Sequence, residues 1–218
     1  MVPTADTEAA APDATPPVGT RPPTTDGRQL RRQRNREAVV EALLDLYRGG
    51  NLRPSTEEIA ARSGLSPRSL FRYFDDVDDL TRTAMKRQEE RVLPLVPVDA
   101  RPDAPLAARI EALATQRFRL FDAIGNAATV SRLRAPFHPF LAAELSQNRK
   151  FLRKQLRMLF APELTAMDKS AASSVLAAAD VLTSFESWQL LRQDQALGPE
   201  RARAVVIDAL ATLLGPTH

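Results

Sequence analysis

Apolar residues in this chain recur three and four positions apart in segment after segment. Alternation with a period of two appears nowhere at length, so the pattern predicts helices packed on helices and no sheet. Val40, Leu43, Leu44 and Tyr47 define the buried face of a helix over Asn35–Arg48, which Gly49-Gly50 ends. Residues 55–74 then read as two short helices on either side of a glycine turn. Ser55 can cap the first, with Glu58 three residues on to close a capping box and Ile59 and Ala60 as its buried side. Gly64 allows the sharp turn and Leu65 plugs the gap between the helices. Ser66 caps the second helix, Pro67–Phe74. Pro67 takes its first position, where a missing N–H costs nothing, and Leu70 and Phe74 face inward. Arg68, Ser69, Arg72 and Tyr73 are left pointing out.

A fourth helix is expected from about Asp76 to Leu93, followed by a linker marked by Pro94, Pro97, Pro102 and Pro105. Beyond it, Ile110, Leu113, Leu120, Phe121 and Ile124 form one apolar face. Leu141, Leu145, Leu152, Leu156 and Leu159 form a second, opposed by Arg149, Lys150, Arg153 and Lys154. Val175, Ala179, Leu182, Phe185 and Gln189 form a third, and Pro199 opens a last helix with Val205, Val206, Ala209, Leu210 and Leu213 inside. The last two long helices, Asp168–Arg192 and Pro199–Leu214, are apolar on more than one side, and so wide a face must be buried against something. Residues 1–27 are different: six prolines, six threonines and almost no large apolar side chain. Such a segment cannot offset its ordering entropy and is expected to be a disordered tail.

Charge changes this picture. The chain carries a net +3, yet residues 28–74 alone hold ten arginines against five acids. Five of those arginines fall in the nine residues Arg28–Arg36. Local positive charge beside a helix–turn–helix is what phosphate binding needs, and an arginine arm there can reach the backbone or an adjacent minor groove. A short helix presenting two arginines, a hydroxyl and a tyrosine suits a DNA major groove.

Other chemistry is sparse. Without cysteine there are no disulfides or thiolate metal sites. His138, in a proline-flanked loop, and the terminal His218 are the only histidines, so no metal centre or cofactor is expected within one chain. No nucleophile elbow, Gly-rich phosphate loop or metal-ligand cluster is present, and catalysis is not expected. No stretch approaches the roughly 18 apolar residues of a membrane span, and the N-terminus lacks a charged-then-apolar leader pattern, so a soluble cytoplasmic protein is expected.

The run Ile59-Ala60, Gly64-Leu65-Ser66, Leu70-Phe71, Tyr73-Phe74 and Leu80 resembles the N-terminal domain of the TetR family of bacterial transcriptional regulators, over about residues 34–92. The resemblance implies an all-α protein. Its N-terminal three-helix helix–turn–helix domain is joined through helix 4 to a helical C-terminal ligand-binding and dimerisation domain. The expected divisions are a tail over 1–27, a DNA-binding domain over 28–92, a Pro-rich linker over 93–105 and an effector-binding body over 106–218. Two positions depart from the family. Phe71 stands where a tyrosine usually touches a phosphate. Val77, among Asp75, Asp76, Asp78 and Asp79, stands where a lysine is frequent. That phosphate anchor is expected to be weak, with the arginine arm and Arg72 compensating.

The function that these residues and the resemblance together imply is sequence-specific regulation of transcription on a near-palindromic duplex, the resemblance adding that the chain acts as a homodimer and as a repressor released by a small effector. An activator of the same fold and an effector-independent architectural protein are the alternatives. Arg68 and Arg72 are the candidates for base edges, with Pro67 and Ser69 beside them. Ser55, Thr56, Ser66 and Tyr73, together with Arg31, Arg32 and Arg34, are candidates for the rest of the DNA contact. The small side chains Ala171, Ala172, Ala177, Ala178 and Ala179 would let the last long helices approach partner copies. Candidate walls for the effector pocket are Phe118, Phe121, Phe137, Phe140, Phe185 and Trp188, with Arg117 or Glu186 as a polar anchor. Such a lining suits an apolar or amphipathic compound.

Overall fold

A computed structural model describes residues 25–215, and every regular element among them is helical. In chain order these are α1 (Thr25–Arg48), α2 (Thr56–Ser63), α3 (Pro67–Leu70), α4 (Val77–Val92), α5 (Leu106–Arg134), α6 (Pro139–Leu159), α7 (Ala161–Ala166), α8 (Lys169–Leu182), α9 (Phe185–Gln189) and α10 (Pro199–Leu214). Short 3-10 turns follow α4 and α5, and one π-type turn, Leu190–Asp194, continues α9.

α1 begins ten residues before the expected Asn35, so the arginine run forms its first turns rather than a separate arm. Arginine, glutamine and leucine are good helix formers, and Gln33 donates to Glu37 one turn on (3.0 Å). The tail expected over 1–27 lies outside the described residues except for 25–27, which belong to α1. The caps read from sequence are all formed. The Ser55 hydroxyl accepts from the Glu58 N–H (3.2 Å) while Glu58 accepts from the Ser55 N–H (2.7 Å). Gly64 ends α2 at φ 71°, a left-handed conformation that lets the chain turn into α3.

Two further expectations for helix length are corrected. The second helix of the pair is regular only over Pro67–Leu70. Residues 71–73 continue as tighter turns, with Arg72 N–H on Ser69 O (3.2 Å) and Tyr73 N–H on Leu70 O (3.0 Å). The helix expected over Asp168–Arg192 is broken at Thr183–Ser184. The Thr183 hydroxyl turns back to Ala179 O (2.8 Å), and Ser184 caps a new helix by accepting from Ser187 N–H (3.1 Å).

Two hydrophobic cores result. The head core gathers Val39, Leu43, Leu44 and Tyr47 of α1 with Ile59 of α2, Leu70, Phe74, and Leu80 and Ala84 of α4. It also takes Ala127 and Val130 from α5 and Leu141 from α6, so the head is bolted onto the body rather than hung from a linker. The body core is centred on α5, α6, α8, α9 and α10, and Val92 at the end of α4 enters it. α4 therefore belongs to both. α5 bends at Gly125 (φ 33°, ψ −123°), a backbone state that an L side chain reaches only under strain.

Candidate nucleic-acid interface and ligand cavity

The outer edge of α3 is polar and exposed because the inner edge is consumed by the core. Leu70 and Phe74 are buried, while Ser66, Pro67, Arg68 and Arg72 are exposed. Ser66 and Ser69 are not free hydroxyls. Ser66 Oγ accepts from the Ser69 N–H (3.2 Å), and the two hydroxyls share a bond of 2.9 Å. Tyr73 is half-buried, and its hydroxyl accepts from Asn35 Nδ2 (2.8 Å), which fixes the ring against α1 and leaves the hydroxyl proton to be donated outward. Arg31, Arg32 and Arg34 are exposed on α1. Ser55 is exposed and Thr56 half-buried at the start of α2, whose N-terminal dipole favours an anion. Phe71, where the resembling family usually has a tyrosine, is half exposed without a hydroxyl to offer.

The acidic stretch before α4 is largely occupied within the protein. Asp76 caps α4 by accepting from Asp79 N–H (2.7 Å). Asp78 turns to the body, where it accepts from Arg134 Nη2 (2.7 Å) and lies 3.3 Å from His138 Nδ1. Arg134 is thus the contact that ties the start of α4 to the end of α5, and its charge also reaches the buried Tyr47. Burial raises the Tyr47 hydroxyl above its ordinary pKa, and Arg134 and Thr81 offset part of that. Nothing in the sequence flagged Arg134 or Asp78 as partners, since they are 56 residues apart.

The far end of α4 is held as well. Gln116 donates to Leu95 O (2.7 Å) and Val96 O (3.1 Å), and Gln155 donates to Val96 O (3.0 Å). Arg117, named above as a polar anchor, is spent on this clamp: it is fully buried and bonds Gln116, Gln155 (3.0 Å) and Leu152 O (3.1 Å). Burial pulls its pKa down to about 10, with the charge of Asp180 opposing.

Between the two clamps, a half-open cavity of about 480 Å³ lies among α4, α5 and α6. Met85, Val92, Leu120, Phe121, Leu145 and Leu152 give it an apolar wall, and Glu89, Glu144, Arg132 and Arg149 stand at its edge. Gln88 on its wall donates to Ala123 O (3.0 Å), two residues before the Gly125 bend. Of the six aromatic residues named from sequence, Phe121 lines this cavity. Phe185 and Trp188 stack behind it, with Phe121 edge-on to Phe185 (5.7 Å) and Trp188 5.2 Å from Phe185. Phe118 is buried in the body core. Phe140 packs on the head core beneath Arg82, and Phe137 is exposed. The walls that spacing could not find come from α4 and α6, because the cavity forms only where those helices cross α5.

Glu186 is the shared partner of Arg132 (2.9 Å) and Arg149. Burial pushes its carboxyl up, but the hydrogen bond from Arg132 and the two guanidinium charges outweigh this and leave it below its ordinary value. Glu144 moves the other way. Burial raises it, the neighbouring charge of Glu89 raises it further, and Arg82 offsets part of the shift.

No family model matches the chain, and no curated protein does. Solved structures do share its fold. A transcriptional regulator of Rhodococcus sp. RHA1 superposes with a TM-score of 0.60 at 18% identity, covering 84% of this chain and 99% of its own. A TetR transcription regulator of Haloarcula marismortui ATCC 43049 gives 0.55 at 18% identity, over 83% and 96%. The multidrug-binding protein EbrR, in complex with imidazole, gives 0.52 at 21% identity, over 86% and 97%. The chain has the all-helical fold of TetR-type regulators.

Proposed function

We propose that this chain is a sequence-specific DNA-binding regulator of the TetR type, a homodimeric repressor that a small molecule releases from its operator. The observation that carries the reading is the exposed edge of α3. Arg68 projects from a short capped helix and Arg72 from the turn that continues it, beside the arginine-rich start of α1. Arginine forks match the O6 and N7 acceptors of guanine, and the arginines of α1 supply charge for the phosphates. Three likenesses of fold, one of them to a multidrug-binding protein, point the same way.

The same reading gives the cavity a role. The head moves with α4, because Leu80 and Ala84 lie in its core and Arg36 donates to Thr83 (3.2 Å). A molecule between α4 and α5–α6 presses on a helix that enters both cores. It favours release only by binding the DNA-free arrangement more tightly. Moving the balance from 1:99 to 99:1 takes a difference of about 5.5 kcal/mol. For dimerisation, α8 and α10 offer the faces. Val175, Ala178, Val205 and Ala209 remain half-buried and Val181 exposed in a single copy.

Selection of binding sites from random DNA with the purified full chain tests the proposal. The expected product is a two-fold motif whose half-sites lie about 34–36 Å apart or a small multiple of that. A chain that stays monomeric and retains no oligonucleotide at low salt overturns it.

A further inference from the structure

The edge of the cavity is electrostatically lopsided. Its two arginines, Arg132 and Arg149, converge on one carboxylate, Glu186. Its two glutamates are not so engaged. Glu89 comes from α4 and Glu144 from α6, and neither has an ion-pair partner among the described residues. Of the neighbouring cations on α4, Arg91 pairs with Glu41 and Arg87 with Glu90, while the exposed Lys86, one turn before Glu89, pairs with no carboxylate among the described residues. Arg82 offsets Glu144 only at a distance, its guanidinium resting over the Phe140 ring (5.0 Å). Glu144 is half-buried and Glu89 exposed, both line the opening, and their like charges repel, which is consistent with the raised carboxyl of Glu144. A positive group placed near both relieves that repulsion and gives each carboxylate a counter-charge. A metal ion is the poorer occupant: no cluster of three or more His, Cys, Asp or Glu side chains occurs among the described residues.

We infer that the cavity takes an amphipathic organic cation, its positive group seated between Glu89 and Glu144 and its apolar body against Met85, Phe121 and Leu145. Glu89 rides on α4 and Glu144 on α6, so such a cation bridges two helices whose relative position sets where the head lies. This consequence rests on the regulator reading; the charge selectivity does not.

The test uses the full chain without DNA and three probes of similar size, followed by calorimetry: 4-phenylbutyltrimethylammonium, 4-phenylbutanol and 5-phenylpentanoate. The cation is expected to bind at least tenfold tighter than the alcohol or the anion. Glu89→Gln and Glu144→Gln should each weaken the cation by about five- to tenfold and leave the alcohol unchanged. Far-UV circular dichroism checks each variant; should one fail to fold, the other variant and the ranking of the three probes still decide. Equal affinities, no binding of the cation, or tightest binding of 5-phenylpentanoate overturns the inference, the last assigning the cavity to anions through Arg132 and Arg149. Cation binding by a chain that selects no DNA would instead sink the regulator reading and leave the cavity's chemistry standing. A two-fold DNA motif from a chain indifferent to the three probes would do the reverse.

Discussion

The head and the body are both helical, but their order comes from different distances along the chain. In the head the bonds that cap the helices close within three residues, Ser55 with Glu58, Ser66 with Ser69 and Asp76 with Asp79, and longer ones such as Asn35 with Tyr73 only dock the capped unit on α1. In the body the bonds around the cavity span far more. Gln88 and Ala123 are 35 residues apart, Arg132 and Glu186 are 54, and Trp188 and Asp122 are 66. A surface built from local caps presents the same side chains wherever its helix is placed. A cavity exists only once three separate helices have met, and its shape changes with their crossing. That makes the first suited to reading a fixed groove and the second to sensing a variable occupant.

Substitutions can break or sharpen this contrast. The largest effect is expected from Leu70→Ala, which empties a fully buried site under α3. It should cost about 2–5 kcal/mol in urea unfolding. Because the same site positions α3, DNA binding should fall with it. Arg72→Ala should separate the two properties. The side chain is exposed, so stability should hold within about 0.5 kcal/mol. Operator affinity should drop by about 1–3 kcal/mol with relaxed preference at one base pair. Uniform weakening on all sequences would assign Arg72 to a phosphate instead.

In the body, Glu163→Gln should lose about 1–2 kcal/mol, since it strips the carboxylate from the buried Arg109. Hydrogen bonding from Arg109 holds Glu163 below its ordinary value of 4.5 against the opposing effect of burial. Its stabilisation is therefore complete above about pH 4.5 and drains away as pH falls through the lowered folded value. Acid unfolding of Glu163→Gln should be correspondingly flatter. The smallest effect has the opposite sign. Glu144 binds its proton more readily folded than unfolded, so its ionised form opposes folding at neutral pH, and that penalty is relieved as pH falls below its raised folded pKa. Glu144→Gln should raise neutral stability by less than about 0.5 kcal/mol, the opening being well screened by solvent. A clear loss of stability would mean that Glu144 has a structural partner.

Much of the head was legible along the chain. The caps at Ser55 and Ser66, the turn at Gly64 and the inward Leu70 and Phe74 depend on interactions inside one turn. The length of α1 was not read, because the arginine run offers no apolar period to count and its helicity rests on propensity. The break at Thr183–Ser184 was also missed: the apolar spacing runs through it, and only the hydroxyls returning to Ala179 and Val181 end α8. Among the aromatic residues proposed for the pocket, sequence could identify bulk but not which way it faced. Phe121 meets the cavity while Phe118 supports the core and Phe137 lies on the surface.

By itself the sequence determined that this is a helical chain with a basic, capped helix–turn–helix near its start. Periodicity, capping and charge density are properties of neighbouring residues, and neighbouring residues are what a sequence records. Only the tertiary structure decided that α4 is pinned through Asp78–Arg134 at one end and Val96 at the other. It alone decided that Glu89 and Glu144 line one cavity between those pins. Those relations join residues brought together by the crossing of helices, and the angle of a crossing is set by the packing of whole faces rather than by any local pattern.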